Sequence, residues 1–183
     1  MPIYASKGNS REFYNVPAAT YQAVCYEIWD IGFQESEWKG KKIVNHKVII
    51  AFEINELVPE GEFEGKRMTI NNFYTLSLSD KANLRKHLEG WRGKAFTEVE
   101  LEKFDIEKLI GINCMLNVIA KENGKTKIDG ISKVMNGLIS LIPENKRSMP
   151  EWVIKKFLEK AVENPYAADG EATAEAEGEP IPF

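Results

Sequence analysis

The sequence predicts a mainly β chain with a helical insertion: three strands, a helical block, a two-strand hairpin and a last helix. Three observations carry that expectation. Apolar residues alternate with a period of two over residues 44–54 and again over 68–76, the period lengthens to that of a helix between 79 and 101, and two further β-like runs flank Asn123-Gly124. With 183 residues and 43% apolar content, the chain is large enough to close one core without disulfides or a metal.

Residues 1–16 are polar and aperiodic, with Lys7 and Arg11 as their cations, and are expected to form a flexible arm. A folded domain is expected over 17–149. Its first strand covers Tyr21 to Phe33, rich in aromatic and β-branched residues, with Gly32 marking its bend or its end. In the second, Lys42 to Glu56, residues Val44, His46, Val48, Ile50, Phe52 and Ile54 share one face, and Asn45, Lys47, Ile49, Ala51 and Glu53 the other, which predicts a half-buried strand. After the turn at Pro59-Glu60-Gly61-Glu62, Met68, Ile70, Asn72, Tyr74 and Leu76 alternate with Arg67, Thr69, Asn71, Phe73 and Thr75. Ser79 is placed to cap a helix carrying Leu84, Leu88 and Trp91 that ends among Gly90 and Gly93. A second short helix opens on a capping box, Thr97 with Glu100, and a hydrophobic staple, Phe96 with Leu101. Strands four and five, Ile112 to Ala120 and Lys127 to Met135, are joined through Asn123-Gly124, a dipeptide that tolerates the positive φ of a tight hairpin.

Pro150 opens a last amphipathic helix, 150–163, with Val153, Ile154, Phe157, Leu158 and Ala161 on its apolar stripe, suited to docking on the body or on another copy. Residues 164–183 hold five acids and no base, with too little apolar mass to offset the entropy of ordering, and are expected to be a disordered acidic tail. The net charge of -4 belongs to that tail, since the rest of the chain has 23 acids against 24 bases. The longest apolar run, Val48 to Phe52, is far short of the roughly 20 residues that span a bilayer. The first residues also lack the apolar stretch of a secretory signal, so the expected location is cytoplasmic. Cys25 and Cys114 fall inside apolar runs and read as reduced core residues.

Three strands, helices, then a hairpin is the element order of the OB-fold, a five-stranded barrel whose helix lies between strands three and four. Such barrels bind oligonucleotides on the face of strands two and three and with the loops after strands one and four. The first of those loops places Trp38 beside Lys39, Lys41 and Lys42; the second carries Lys125 and Lys127. The sheet face away from the core would present Lys47, Arg67, Asn71 and Phe73. Cations among exposed rings suit a sequence-tolerant single-strand site, since lysines track phosphates while rings stack on bases. The competing readings are solubilising lysines, Trp38 folded back as a lid on the core, and Tyr74 and Trp91 as core residues. Tyr26 and Trp29 are assigned to neither face.

Other chemistries find no pattern. Gly124-Lys125-Thr126 lacks the earlier glycine of a phosphate loop, Ile119 standing there. His46, on an apolar face, reads as a core histidine and His87 as a surface one, with no Cys or His at metal-ligand spacing from either. No catalytic constellation, metal or cofactor is expected.

Two stretches resemble known families. The ending Glu177-Gly178-Glu179-Pro180-Ile181-Pro182-Phe183 resembles the acidic tip of bacterial single-stranded DNA-binding proteins, which end in several aspartates and Ile-Pro-Phe; here glutamates are interrupted by Gly178 and Pro180. The resemblance implies a partner-binding tip of Glu177, Glu179, Ile181, Pro182 and Phe183, whose ring enters an apolar pocket and whose carboxylate meets a basic residue. The middle half, with Tyr74-Thr75-Leu76-Ser77-Leu78, Gly90-Trp91-Arg92-Gly93-Lys94-Ala95-Phe96-Thr97 and Phe104-Asp105-Ile106-Glu107-Lys108-Leu109-Ile110-Gly111, is similar to a family of phage-encoded OB-fold single-strand binders. Together they imply a non-enzymatic single-stranded DNA-binding protein of phage replication or recombination, acting in the bacterial host's cytoplasm. Its tip would recruit replication or recombination proteins, and it could form homo-oligomers. The alternatives are a protein-binding adaptor without DNA affinity and an RNA-binding regulator.

Overall fold

The computed structural model describes residues 15–145 and 147–167. Strands β1 (Ala19–Trp38), β2 (Lys41–Leu57), β3 (Arg67–Thr75), β4 (Asn113–Ala120) and β5 (Thr126–Lys133) form one open five-stranded antiparallel sheet, in the spatial order β3-β2-β1-β4-β5. Helices α1 (Asn83–Arg92) and α2 (Glu98–Glu102) come between β3 and β4, and α3 (Glu151–Lys156) follows β5. The element order is the expected one. Residues 1–14 and the tail from 168 on lie outside the described residues, and so do the expectations placed on them. Val16, assigned above to the arm, is buried, and its carbonyl accepts from Thr126 Oγ1 at 2.8 Å.

β1 runs past Gly32, which bends it instead of ending it. The register with β2 shifts between Asp30 and Phe33, Gly32 takes φ +69°, and Asp30 Oδ1 accepts the Gly32 N–H at 2.8 Å. A second shift lies between Cys25 and Glu27. Because an extra residue moves everything after it to the other face, Tyr21, Ala23, Cys25 and Ile28 face one core while Tyr26, Trp29 and Ile31 face away from it. Those shifts explain why period-two counting left Tyr26 and Trp29 unassigned.

The main core lies between the sheet and α1, where Val48, Ile50, Phe52 and Ile54 of β2 meet Leu84, Leu88 and Trp91. Tyr74 and Trp91 are core residues, as their phase predicted. Ser79 does not cap α1. The N-cap is Ala82, without a side-chain bond, because Ser79 is used one turn earlier, its carbonyl accepting the Ala82 N–H at 2.9 Å. The helix ends at Gly93 in the left-handed region, φ +69°, while Gly90 lies inside it. The capping box on α2 forms as read: Thr97 accepts from Glu100 N and Glu100 from Thr97 N. Glu100 also receives Arg92 Nη2, and this bond, ahead of the backbone one, holds its carboxyl down at about 2.

Both histidines depart from their expected places. His87 is buried between the two edge strands, its Nδ1 2.7 Å from the Tyr74 hydroxyl of β3 and its ring bonded to the Asp129 carbonyl of β5. His46 is half-buried and pairs with Asp30 Oδ1 at 2.7 Å. Cys25 and Cys114 are free and fully buried, and burial pushes both thiols well above their ordinary range.

The second face of the sheet is not open. Residues 139–145, with 147 and 148, cross it as a strap, and α3 docks beyond. Gln22 Nε2 donates to Ile139 O at 2.7 Å, and Asn113 accepts from Leu141 N at 2.8 Å while donating to Leu141 O at 2.9 Å. Glu53, with no exposed surface, accepts from the backbone N–H groups of Glu144 at 3.0 Å and Asn145 at 2.6 Å. Trp29 Nε1 donates to Ser148 O at 3.1 Å. β2 is therefore buried on both faces from Val48 to Ile54, where a half-buried strand was expected. α3 is shorter than the predicted 150–163: it ends at Lys156, Phe157 leaves the helical region at φ −124°, and a 3₁₀ turn follows. It docks on the body through Val153 against Tyr26, Trp29, Ile31, Ile49 and Ala51. Among the described residues no helix is long and apolar enough to cross a membrane.

Candidate nucleic-acid interface

The candidate site begins where the sheet narrows to two strands. β4 accompanies β1 only as far as Val24, and β3 accompanies β2 only from Lys47 onward. Residues 34–38 and 41–45 pair with each other as a β-ribbon. Its tip is a two-residue loop, Lys39-Gly40, with φ of +50° and +75°, the signature of a type I′ turn whose twist matches the strands. Lys39 takes the left-handed conformation that Asn more often fills.

Alternation divides the ribbon into two faces. Trp38 and Lys41 are direct partners, so Trp38, Lys41, Ile43, Asn45 and Lys47 share the face that continues into Ile49 and Ala51. Glu35, Glu37 and Lys42 are on the opposite face, where Lys42 Nζ is 2.9 Å from Glu35 Oε1. The three loop lysines grouped by the sequence thus part company. Lys41, beside the indole, has no acidic partner among the described residues, while Lys42 is paired on the far side. Trp38 is 64% exposed, which removes the core-lid alternative, and Lys39 Nζ lies 5.8 Å from its ring centroid.

The remaining predicted residues separate from this group. Lys125 and Lys127 belong to the β4–β5 hairpin, at the other end of β1: Ala19 pairs with Val118 there, whereas Trp38 pairs with Lys41 at the ribbon tip. Lys127 is 3.6 Å from Asp129. The hairpin turn also differs from expectation, since Gly124 alone takes positive φ and Asn123 uses its Oδ1 to accept Lys125 N at 3.1 Å. Arg67 faces away from the core as predicted, but its guanidinium is used by the strap: Nη1 donates to Ile142 O at 2.8 Å and Nη2 lies 3.0 Å from Glu144. It is not free for a phosphate. Asn71 is half-buried, its Oδ1 buried without a partner among the described residues. Phe73 is 47% exposed, with the Phe157 ring 5.3 Å away. The tip residues Glu177, Glu179, Ile181, Pro182 and Phe183 lie outside the described residues.

No protein-family model matches the chain, and no curated protein matches it either.

The geometry therefore has to speak through its own chemistry. Sequence reasoning found Trp38 and the lysines but missed Ile43, which widens the apolar part of the ribbon face, and missed Trp29, Trp152 and Phe157, which meet on the covered face. Trp29 and Trp152 are edge-on at 6.2 Å, and Trp152 and Phe157 at 6.3 Å. The signal for Ile43 was available in its alternation with Lys41. The two acids on the covered face are already matched within the fold. Glu53 is used by the strap, and Glu27 by Arg147, whose Nε is 3.2 Å away. Burial raises the Tyr26 phenol to about 12, so that ring stays neutral. Among the described residues no three His, Cys, Asp or Glu gather where they could hold a metal.

Proposed function

We propose that the chain binds single-stranded DNA without sequence preference along the outward face of the β1–β2 ribbon. The observation that carries this reading is Trp38, exposed at the ribbon tip with Lys39 near its ring and Lys41 on its face. An exposed indole flanked by ammonium groups that have no acidic partner among the described residues offers a base something to stack on and a phosphate something to meet. Lys47 extends the cationic line toward the sheet. The strand order supports an OB-type architecture, because a five-stranded Greek-key barrel that closed β3 onto β5 would contain the same four neighbour pairs. The middle-sequence resemblance favours a phage protein of DNA replication or recombination, working in the cytoplasm of a bacterial host.

The test is titration with oligo-dT, read by tryptophan fluorescence and anisotropy across salt concentrations. Quenching is expected, and the Lys41→Ala/Lys47→Ala variant should flatten the salt slope by about one unit per lost phosphate contact. Unchanged fluorescence and anisotropy at low salt would overturn the reading. The Ile181-Pro182-Phe183 tip would recruit replication or recombination proteins; deleting those three residues should abolish capture of a bacterial partner while leaving oligo-dT binding intact. Capture that survives the deletion removes the recruiting role.

One observation favours a protein-binding adaptor instead. Ile139 and Ile142 on the strap are 88% and 76% exposed, apolar surface of the kind that protein partners cover. A partner captured by a chain with no affinity for oligo-dT would support that reading.

A further inference from the structure

We propose that residues 150–162 are a latch, displaced by single-stranded DNA, over a second base-stacking platform formed by Phe73 and Trp29. The inference rests on the single-strand reading above and adds a site and a gate to it. The outward ribbon face runs from Trp38 through Lys41 and Lys47 to Ile49, whose direct partner on β3 is Phe73. A strand following that face meets the latch at this point, because Phe157 lies 5.3 Å from Phe73. The track is interrupted by the chain itself.

What interrupts it resembles what it would be replaced by. The latch sets an aromatic ring against each platform ring, Phe157 against Phe73 and Trp152 edge-on to Trp29 at 6.2 Å. Bases present the same kind of surface. The latch is also lightly fastened. Its helix has six residues and breaks at Phe157, and Val153 is its one fully buried side chain among the described residues, while Trp152, Leu158 and Val162 are 45%, 42% and 38% exposed. Two hydrogen bonds tie its far end to β1: Gln34 Nε2 donates to Phe157 O at 3.1 Å and Val162 N to Phe33 O at 2.9 Å. The strap before it is held differently, by the buried Glu53 carboxylate and by Asn113, and would stay in place when the latch lifts.

Phe33 and Val162 face each other in an isolated antiparallel bridge. Such partners have Cα atoms about 4.5–5.5 Å apart, within the roughly 4.4–6.8 Å that a disulfide spans. The full-length Phe33→Cys/Val162→Cys protein therefore locks the latch when oxidised, and Cys25 and Cys114 are too buried to interfere. Oxidised protein should bind oligo-dT about tenfold more weakly than the same protein after reduction, since only the open fraction is competent. Phe157→Ala, which removes the ring over Phe73, should bind about threefold more tightly than wild type. Equal affinity of the oxidised and reduced forms overturns the latch and leaves the ribbon reading standing. Failure of the two cysteines to cross-link shows that Val162 is not held beside Phe33 and also overturns it. If neither wild type nor any variant binds oligo-dT, the single-strand reading falls and the latch with it.

Discussion

Gly90 is a residue whose role reverses the usual rule. A glycine inside an exposed helix is a weak point, and replacing it with alanine ordinarily gains about 1 kcal/mol. Here a Cβ at position 90 would come 2.3 Å from the Ile131 carbonyl oxygen, a backbone atom of β5 that cannot turn aside. Gly90→Ala should therefore lower the urea midpoint of unfolding with an unchanged slope. A raised midpoint would show that α1 is not seated on β5. The sequence made Gly90 and Gly93 equal candidates for the helix end; only Gly93 takes positive φ, because its N–H bonds back to Glu89 O and Gly90 O. Nothing local marks Gly90 as a contact point. Lys42 teaches the same lesson. Adjacent to Lys41 in sequence, it lies on the opposite side of the ribbon, bonded to Glu35, and counting charges in a loop cannot see that division.

At the scale of elements, α1 connects the two edges of the open sheet through His87. Neutral imidazole fits this position: one ring nitrogen accepts from the Tyr74 hydroxyl and the other donates to the Asp129 carbonyl. Burial first, and Lys86 nearby, lower its pKa below the ordinary 6.5, against the opposing pull of Asp129. An unfolded His87 gains its proton near 6.5, while the folded one resists. The stabilisation is thus complete above that value and is lost as pH falls from it toward the lower folded value. Thermal melts should show wild-type stability declining as pH falls below about 6.5, with a shallower decline for His87→Gln. Identical slopes would mean that His87 is not buried neutral between β3 and β5. The strands themselves were legible from their alternation, and α2 from its capping box, because those signals act over a few residues. The faces of β1 were not, since two irregularities in its pairing shift the phase.

For the whole molecule, the decisive feature is what covers the sheet. Alternation placed Lys47, Arg67, Asn71 and Phe73 correctly on the face away from the main core, and a search for an oligonucleotide-binding face would stop there. The strap consumes Arg67, and α3 with Phe157 covers part of the rest. The exposed aromatic and cationic surface therefore moves outward to the ribbon, where Trp38 and Lys41 stand clear of the sheet. Glu53 held the clue. A glutamate on a strand otherwise packed on both sides needs donors brought to it, and these come from Glu144 and Asn145, 91 and 92 positions later in the chain. By itself the sequence determined the order of strands and helices, the core of β2, β3 and α1, the two reduced buried cysteines and the presence of an indole among lysines, because propensity, period and turn chemistry are local. Tertiary structure alone decided which lysine shares a face with that indole, that His87 is the more deeply buried of the two histidines, and that the chain after β5 folds back over the sheet. Those outcomes depend on register and on contacts between distant segments, and no window of sequence contains both partners.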